Sequence, residues 1–144
     1  MSSFTSPLVV SPMPDGRRWR LVFPFRYHVG SRYCKEYIAV PVGFETDFAS
    51  IPKFIWWLPY WAKYCKPPVL HDWLYTVKEI MGKPITRKRA DEIFYEGMLL
   101  DWRNHKSGRI LAATEYWAVR AFGWPAWHYK KKDKKGLEKP SRAD

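Results

Sequence analysis

The sequence predicts an α+β fold, in which a small N-terminal antiparallel β-sheet is followed by three α-helices, two of them an antiparallel pair. Short β-prone apolar runs separated by turn residues occupy the chain up to about residue 45, and apolar residues then recur at helical spacing from 68 to 123. Strands that come first and helices that follow indicate this class. A chain of 144 residues predicts one domain, 1–128, with a basic tail over 129–144.

The β part covers about residues 5–45 and contains three predicted strands. The runs PLVVSP and RRWRLVFPF flank the turn PDG, and the run KEYIAVPVGF stops at Pro41 and Gly43. Prolines at the strand margins favour a small sheet or meander, because proline cannot donate a backbone hydrogen bond. A loop is predicted over residues 43–66, where Pro59 allows KFIWWLPYWAKYCK only short helices.

The helical part begins at the pair PP that precedes VLHDWLY, since the amides of a first helical turn have no acceptor within the helix. Gly82 and Pro84 are predicted to end this first helix. Thr86 is the predicted N-cap of a second helix over about 87–102, and a third runs over about 109–122. The link EIMGKPIT is short, which predicts that the first two helices are antiparallel neighbours.

The composition excludes several classes of protein. A hydrophobic content of 47% argues against a disordered chain, and no run of about 18 apolar residues offers a membrane span. The start MSSFTSPLVV lacks the features of a signal peptide, which predicts synthesis in the cytoplasm. Cys34 and Cys65 form no CxxC pair and are interpreted as thiols in a reducing compartment, with one disulfide as the alternative.

The charge indicates a partner of negative charge. The net charge is +11, and the last sixteen residues contribute +4 of it through seven basic and three acidic residues. A basic body favours nucleic acid, an anionic membrane or an acidic protein, whereas the tail is equally interpreted as a solvated end. The aromatic segment 54–61, FIWWLPYW, is open to three interpretations: core packing, a protein docking face, or contact with a membrane interface.

The sequence HDWLY carries the candidate site. If the apolar stripe of the first helix faces the core, His71 and Tyr75 lie on one flank of it and Asp72 points further round. An antiparallel second helix would bring Asp91, which lies beside Arg87, against His71. A carboxylate at one ring nitrogen fixes the tautomer of a histidine and raises its basicity, so that the other nitrogen can take a proton from water. Asp72 could ligate a hard cation such as Ca²⁺.

The pair HDWLY and ADEIF resembles the HDxxY and ADxxF signatures of the phospholipase A2 superfamily, most closely its parvovirus-capsid and short bacterial branches. This resemblance implies that His71 is the general base, that Asp72 binds Ca²⁺ and that Asp91 supports the histidine. It also implies that Tyr75 donates a hydrogen bond to the supporting carboxylate. The glycine-rich Ca²⁺ loop of that family has no counterpart before HDWLY, and Asp47 in GFETDFASIP is the loop residue that could replace it.

A second resemblance covers more of the chain. The motifs VPVGFETDFASIP, VLHDWLY, RADEIF and AVRAFG, in this order, are similar to a family of small uncharacterised proteins of tailed phages and prophages. This resemblance implies a phage origin and supplies no activity. It leaves two hypotheses: a phospholipase A2-like hydrolase that uses Ca²⁺ at an anionic lipid surface, or a virion or assembly protein whose partners are other virion proteins. Nucleic acid is the less favoured partner, because the sequence contains no recognisable nucleic-acid module.

Each candidate residue also has a purely structural interpretation. His71 and Asp72 are explained equally by a buried polar network that Tyr75, Arg87 and Asp91 satisfy, since buried polar groups must find partners. Arg87 lies four residues before Asp91, the spacing of an ordinary ion pair on one helix. Asp side chains such as that of Asp47 often bond to nearby backbone amides in turns.

Overall fold

The fold is given by a computed structural model, which describes residues 3–30, 35–48 and 65–129. Six of the described strands precede the first helix, and a two-stranded hairpin lies between the first two helices. The predicted α+β class is therefore confirmed. Three features that the sequence singled out lie outside the described residues: Cys34, the aromatic segment 54–61 and the part of the basic tail from residue 130 onward.

The described residues of the N-terminal half form two small antiparallel sheets, where the sequence predicted one. The first has the strand order β1-β4-β5 and the second has the order β2-β3-β6. Their strands are β1 (Ser3–Phe4), β2 (Val10–Pro12), β3 (Trp19–Leu21), β4 (Phe25–His28), β5 (Tyr37–Val40) and β6 (Glu45–Thr46). The run RRWRLVFPF was expected to form one strand, but it bends at residues 22–24 and contributes to both sheets. Pro24 explains the break, because its ring nitrogen cannot donate to a sheet.

One face of the first sheet belongs to the core. Phe25 and Tyr27 of β4 are fully buried and alternate with exposed or half-buried neighbours, as do Ile38 and Val40 of β5. This alternation is the pattern of a sheet with one wet face. The helices cover the buried face, so this sheet and the helical part share one core.

Helix α1 (Lys66–Val77) is buried on nearly every side, with prolines in its first turn as the sequence predicts. It ends earlier than the glycine and proline signals at 82 and 84 predict. Lys78 closes it in the left-handed conformation, where its amide donates to the carbonyl of Leu74 at 2.8 Å. The chain then turns through a hairpin of β7 (Glu79–Ile80) and β8 (Lys83–Pro84). Met81 and Gly82 at its tip both have positive φ angles, the geometry of a tight hairpin turn.

Three further helices follow among the described residues: α2 (Arg87–Asp101), α3 (Gly108–Phe122) and α4 (Trp124–Tyr129). The cap of α2 is the one predicted, because the side chain of Thr86 accepts from the amide of Arg89 at 3.2 Å. The short helix α4 was not predicted. None of the described helices combines the length and the apolar character needed to cross a bilayer.

The core joins the sheet to the helices. Its fully buried side chains include Leu70 and Leu74 of α1, Phe94 and Met98 of α2, and Ala112 of α3. Helix α2 packs against α1 on one side and α3 on the other. A polar residue on the inner side of α2 is therefore within reach of both neighbouring helices.

Candidate functional site

The candidate site lies where three helices meet. Helix α1 contributes His71 and Tyr75, which are one turn apart and so share a face. The first turns of α2 contribute Asp91, and the last turn of α3 contributes Arg120. The hairpin between α1 and α2 reverses the chain, which sets the beginning of α2 against the second half of α1. The antiparallel pairing predicted from the short link explains why His71 and Asp91 meet across twenty residues of sequence.

The carboxylate of Asp91 is the centre of this arrangement. Its Oδ1 lies 2.8 Å from Nε2 of His71 and accepts a hydrogen bond of 2.6 Å from the hydroxyl of Tyr75. Its Oδ2 accepts a hydrogen bond of 2.7 Å from Nη1 of Arg120 and lies 3.5 Å from Nη1 of Arg87. Both oxygens of a carboxylate with no exposed surface are therefore satisfied. This matters because an unpaired buried charge is strongly destabilising.

The surroundings keep Asp91 ionised. Burial by itself would raise the pKa of this carboxyl, but the hydrogen bonds from His71, Tyr75 and Arg120 outweigh it and hold the pKa below its usual value. Tyr75 responds in the opposite sense. Burial and then the negative charge of Asp91 raise the pKa of its phenol, so that Tyr75 remains a hydrogen-bond donor.

An ionised Asp91 fixes the tautomer of His71. A carboxylate only accepts hydrogen bonds, so Nε2 of His71 must donate, and the neutral ring then holds its basic lone pair on Nδ1. The ring is also fixed in orientation, because it stacks on Phe94 with a centroid distance of 4.4 Å and an interplanar angle of 23°. The arrangement can therefore hold an imidazole in one tautomer and one orientation, which are two requirements of a general base.

Arg120 is the member of the site that sequence reasoning missed. It lies in AVRAFG, a motif noted for its resemblance to phage proteins but given no role. The same motif brings Gly123 against the site, because a Cβ there would lie 2.7 Å from the hydroxyl of Tyr75 and closer still to the carbonyl of Val119. The sequence does place Arg120 in the last turn of the predicted third helix, three residues before Gly123, and this arrangement could have suggested a role for it.

The ion pair with Asp91 that the sequence predicts for Arg87 is not its main interaction. The expected ion pair with Asp91 is present but long, at 3.5 Å. The guanidinium mainly donates to the backbone carbonyls of Val119 and Arg120, at 3.0 to 3.2 Å. Arg87 therefore ties the end of α3 to the beginning of α2, which positions Arg120 for its contact with Asp91.

The two predicted Ca²⁺ ligands, Asp72 and Asp47, lie on different elements of the fold. Asp72 is half-buried on α1, and Asp47 is exposed directly after β6. Within the described ranges, no group of three or more His, Cys, Asp or Glu side chains is close enough to hold a metal ion. Asp72 and Asp47 therefore remain predicted ligands of Ca²⁺.

Comparison with known proteins gives one family. A family model described as a protein of unknown function (DUF1353) matches residues 19–119, which include His71, Tyr75 and Asp91. No significant match was found among the curated proteins or among the solved structures.

Proposed function

The chain belongs to the DUF1353 family of proteins of unknown function, and within that family we propose that it is a hydrolase of phospholipase A2 type, encoded by a phage or prophage. The reaction would be the hydrolysis of a carboxylic ester in an anionic phospholipid. His71 would be the general base, with Asp91 and Tyr75 as the groups that orient it.

One observation carries the proposal: Nε2 of His71 lies 2.8 Å from Oδ1 of Asp91, and the same oxygen accepts from Tyr75. A His–Asp pair that is buried, supported by a tyrosine and fixed by stacking has the positioning that general base catalysis requires. His71, Asp91 and Tyr75 are also the residues that the resemblance to the HDxxY and ADxxF signatures names as the base, its supporting carboxylate and the tyrosine that donates to this carboxylate.

The proposed chemistry follows from the tautomer. Nδ1 of His71 takes a proton from a water molecule as the water oxygen attacks the ester carbonyl. Asp91 stabilises the imidazolium that forms, because its carboxylate already faces Nε2. When the tetrahedral intermediate collapses, the bond to the alcohol oxygen breaks and His71 returns the proton to that oxygen. The products are an alcohol and a carboxylic acid, which releases its remaining proton to solvent to become a carboxylate, and no covalent enzyme intermediate is required.

Ca²⁺ belongs to the proposal as a cofactor for which Asp72 and Asp47 are the candidate ligands. In this class of chemistry a bound cation stabilises the negative charge on the substrate oxygen. The dependence on Ca²⁺ is a separate question, which chelation answers.

A second candidate function has a specific observation in its favour. His71 is only 2% exposed, and Asp91 is shared with the guanidinium of Arg120. An arginine beside Asp91 opposes the gain of a proton by His71, which favours a network that locks three helices together. The candidate is then a non-catalytic phage protein that is made in the host cytoplasm and serves in the virion or its assembly, with other virion proteins as partners.

The deciding experiment measures release of fatty acid from phosphatidylglycerol vesicles, with Ca²⁺ or with a chelator. The wild type is compared with His71→Gln, and His28→Gln serves as the matched control because His28 lies on β4, away from the site. Turnover that His71→Gln abolishes and His28→Gln retains supports the hydrolase. Equal rates in wild type and His71→Gln, with both proteins folded by circular dichroism, would leave the structural candidate.

A further inference from the structure

The outer face of α3 is apolar although it faces solvent. Ile110 and Trp117 are two helical turns apart on this face, and their side chains are 72% and 68% exposed. Phe122 at the end of α3 is 81% exposed and Trp124 at the start of α4 is 51% exposed. We call these four residues the α3 apolar face. Four exposed large apolar side chains on one helix and at its end indicate an interaction surface more strongly than single ones, which are common on protein surfaces.

The exposed charges of α3, of α4 and of the loop before α3 have one sign. Between residues 103 and 129 the sequence contains a single acidic residue, Glu115, and that side chain is buried. Arg103, Lys106 and Arg109 line a cavity of about 670 Å³ at the N-terminal end of α3, and no acidic residue lines it. Among the described residues these three cations make no ion pair with a carboxylate. We call them the basic cluster.

We propose that the α3 apolar face and the basic cluster together form a surface that adsorbs to a membrane containing anionic lipid. Helix α3 exposes Ile110 and Trp117 on one face, Phe122 and Trp124 lie at its C-terminal end, and the cations lie at its N-terminal end. This is the composition of an interfacial helix, which lies in the plane of the headgroups. The tryptophans suit the boundary between headgroups and acyl chains. The basic cluster supplies the contacts to lipid phosphate that select an anionic surface.

Two other occupants fit the charges and the side chains less well. A second copy of the chain packed on the same face would bring two basic clusters together in a protein whose net charge is already +11. A nucleic acid would neutralise the cations but would leave Ile110 and Phe122 in water, because it offers bases and phosphates rather than an apolar phase. An anionic membrane satisfies both the cations and the apolar side chains.

The inference rests on the proposed function only in naming lipid as the substrate class, and the two can fail separately. Adsorption requires no turnover, so it is measured by vesicle flotation in the presence of chelator, where the proposed hydrolase is silent. Hydrolysis of a dispersed short-chain ester, in turn, does not depend on adsorption. A chain that binds vesicles without hydrolysing ester leaves this inference intact and removes the hydrolase.

The test uses the full chain and vesicles of phosphatidylcholine mixed with phosphatidylglycerol, with pure phosphatidylcholine for comparison. The double variant Ile110→Ser with Trp117→Ser should lower partitioning about a hundredfold or more, since each large apolar side chain that is buried contributes more than a tenfold step. The matched control is Phe23→Ser, which removes a side chain that is 60% exposed in the sheet region. Should the double variant fold poorly, Ala121→Glu places a negative charge on the same exposed face and should also reduce binding.

Neutralising the basic cluster should act only on the anionic vesicles. The triple change of Arg103, Lys106 and Arg109 to Gln should lower that partitioning about a hundredfold, at roughly a fivefold factor for each cation near the surface. The proposal is overturned if the wild type does not float with anionic vesicles, or if the face and cluster variants float as the wild type does. It is equally overturned if the variants instead abolish a dimer seen by sedimentation, or salt-sensitive binding to single-stranded DNA, in a chain that ignores vesicles.

Discussion

Nη1 of Arg120 donates a hydrogen bond of 2.7 Å to Oδ2 of Asp91, and this contact joins the end of α3 to the beginning of α2. The same carboxylate accepts from His71 and Tyr75 of α1 through its other oxygen. One buried side chain therefore receives donors from two neighbouring helices. The packing of α1, α2 and α3 therefore depends on this carboxylate being fully paired.

Replacing Arg120 by Met should lower the free energy of unfolding by about 2 to 4 kcal/mol, because it leaves a buried charge with one partner fewer. Arg87 remains near the same oxygen but at 3.5 Å, which compensates only in part. Urea denaturation measures the change. Arg109→Met is the matched control, since it removes an exposed arginine from the same helix without touching Asp91. A loss no larger than that of the control would show that the contact contributes little.

Gly123→Ala should destabilise the protein by about 1 to 3 kcal/mol, because the added methyl meets Tyr75 and the carbonyl of Val119 at less than ordinary contact distance. Part of this loss should disappear in a Tyr75→Phe background, where the hydroxyl is gone. A double-mutant cycle of unfolding free energies measures that coupling. Strict additivity would mean that only the backbone contact with Val119 matters.

The helical framework was predictable because its signals are local. The cap at Thr86 and the proline start of α1 depend on residues within one turn of the boundary, and both are where the sequence places them. The hairpin after α1 was missed because its two turn residues are Met81 and Gly82. Such turns favour Asn, Asp or Gly at the first position, where the φ angle is positive, and methionine there does not indicate a turn. The break of the run RRWRLVFPF at Pro24 was missed for a different reason. The residues before and after the break join different sheets, and that choice depends on distant strands.

The site was predictable as far as helical periodicity extends. His71 and Asp91 could be paired from sequence because a short link fixes how two neighbouring helices run. Arg120 could not, because its approach depends on how α3 packs against α2, and Asp91 is 29 residues away in sequence. The contribution of Arg87 was only half visible, since its main acceptors are backbone carbonyls of another helix.

Glu115 makes the stability of the fold depend on pH near neutrality. Burial raises the pKa of its carboxyl from 4.5 to about 7. Between these values the folded protein keeps a proton that the unfolded chain releases, so the free energy of unfolding falls as the pH rises from about 4.5 to about 7. The loss is on the order of 3 kcal/mol and is complete above pH 7.

Glu115→Gln isolates this effect, because the amide cannot ionise. Unfolding free energies of the wild type and the variant, measured across that pH window, should diverge as the pH rises, with the variant retaining its stability. Asp101, whose carboxyl pKa is raised to about 6 by burial, contributes a similar slope at lower pH to both proteins and cancels in the comparison. A constant difference from pH 4.5 to pH 7 would contradict the assignment to Glu115.

Replacing Asp91 by Asn separates the two candidate functions, because it removes the charge and keeps the size of the side chain. The amide of Asn can donate to Nε2 of His71, which moves the ring proton to Nδ1 and abolishes the lone pair that a general base needs there. A hydrolase should then lose about a thousandfold or more in kcat, the scale on which a wrong tautomer acts in a Ser-His-Asp triad. A structural network should show only a lower free energy of unfolding, since Arg120 then faces a neutral oxygen.

Glu92→Gln, the same exchange one residue later on α2, controls for the loss of charge. Ester turnover that survives Asp91→Asn in a folded protein would exclude His71 as the base.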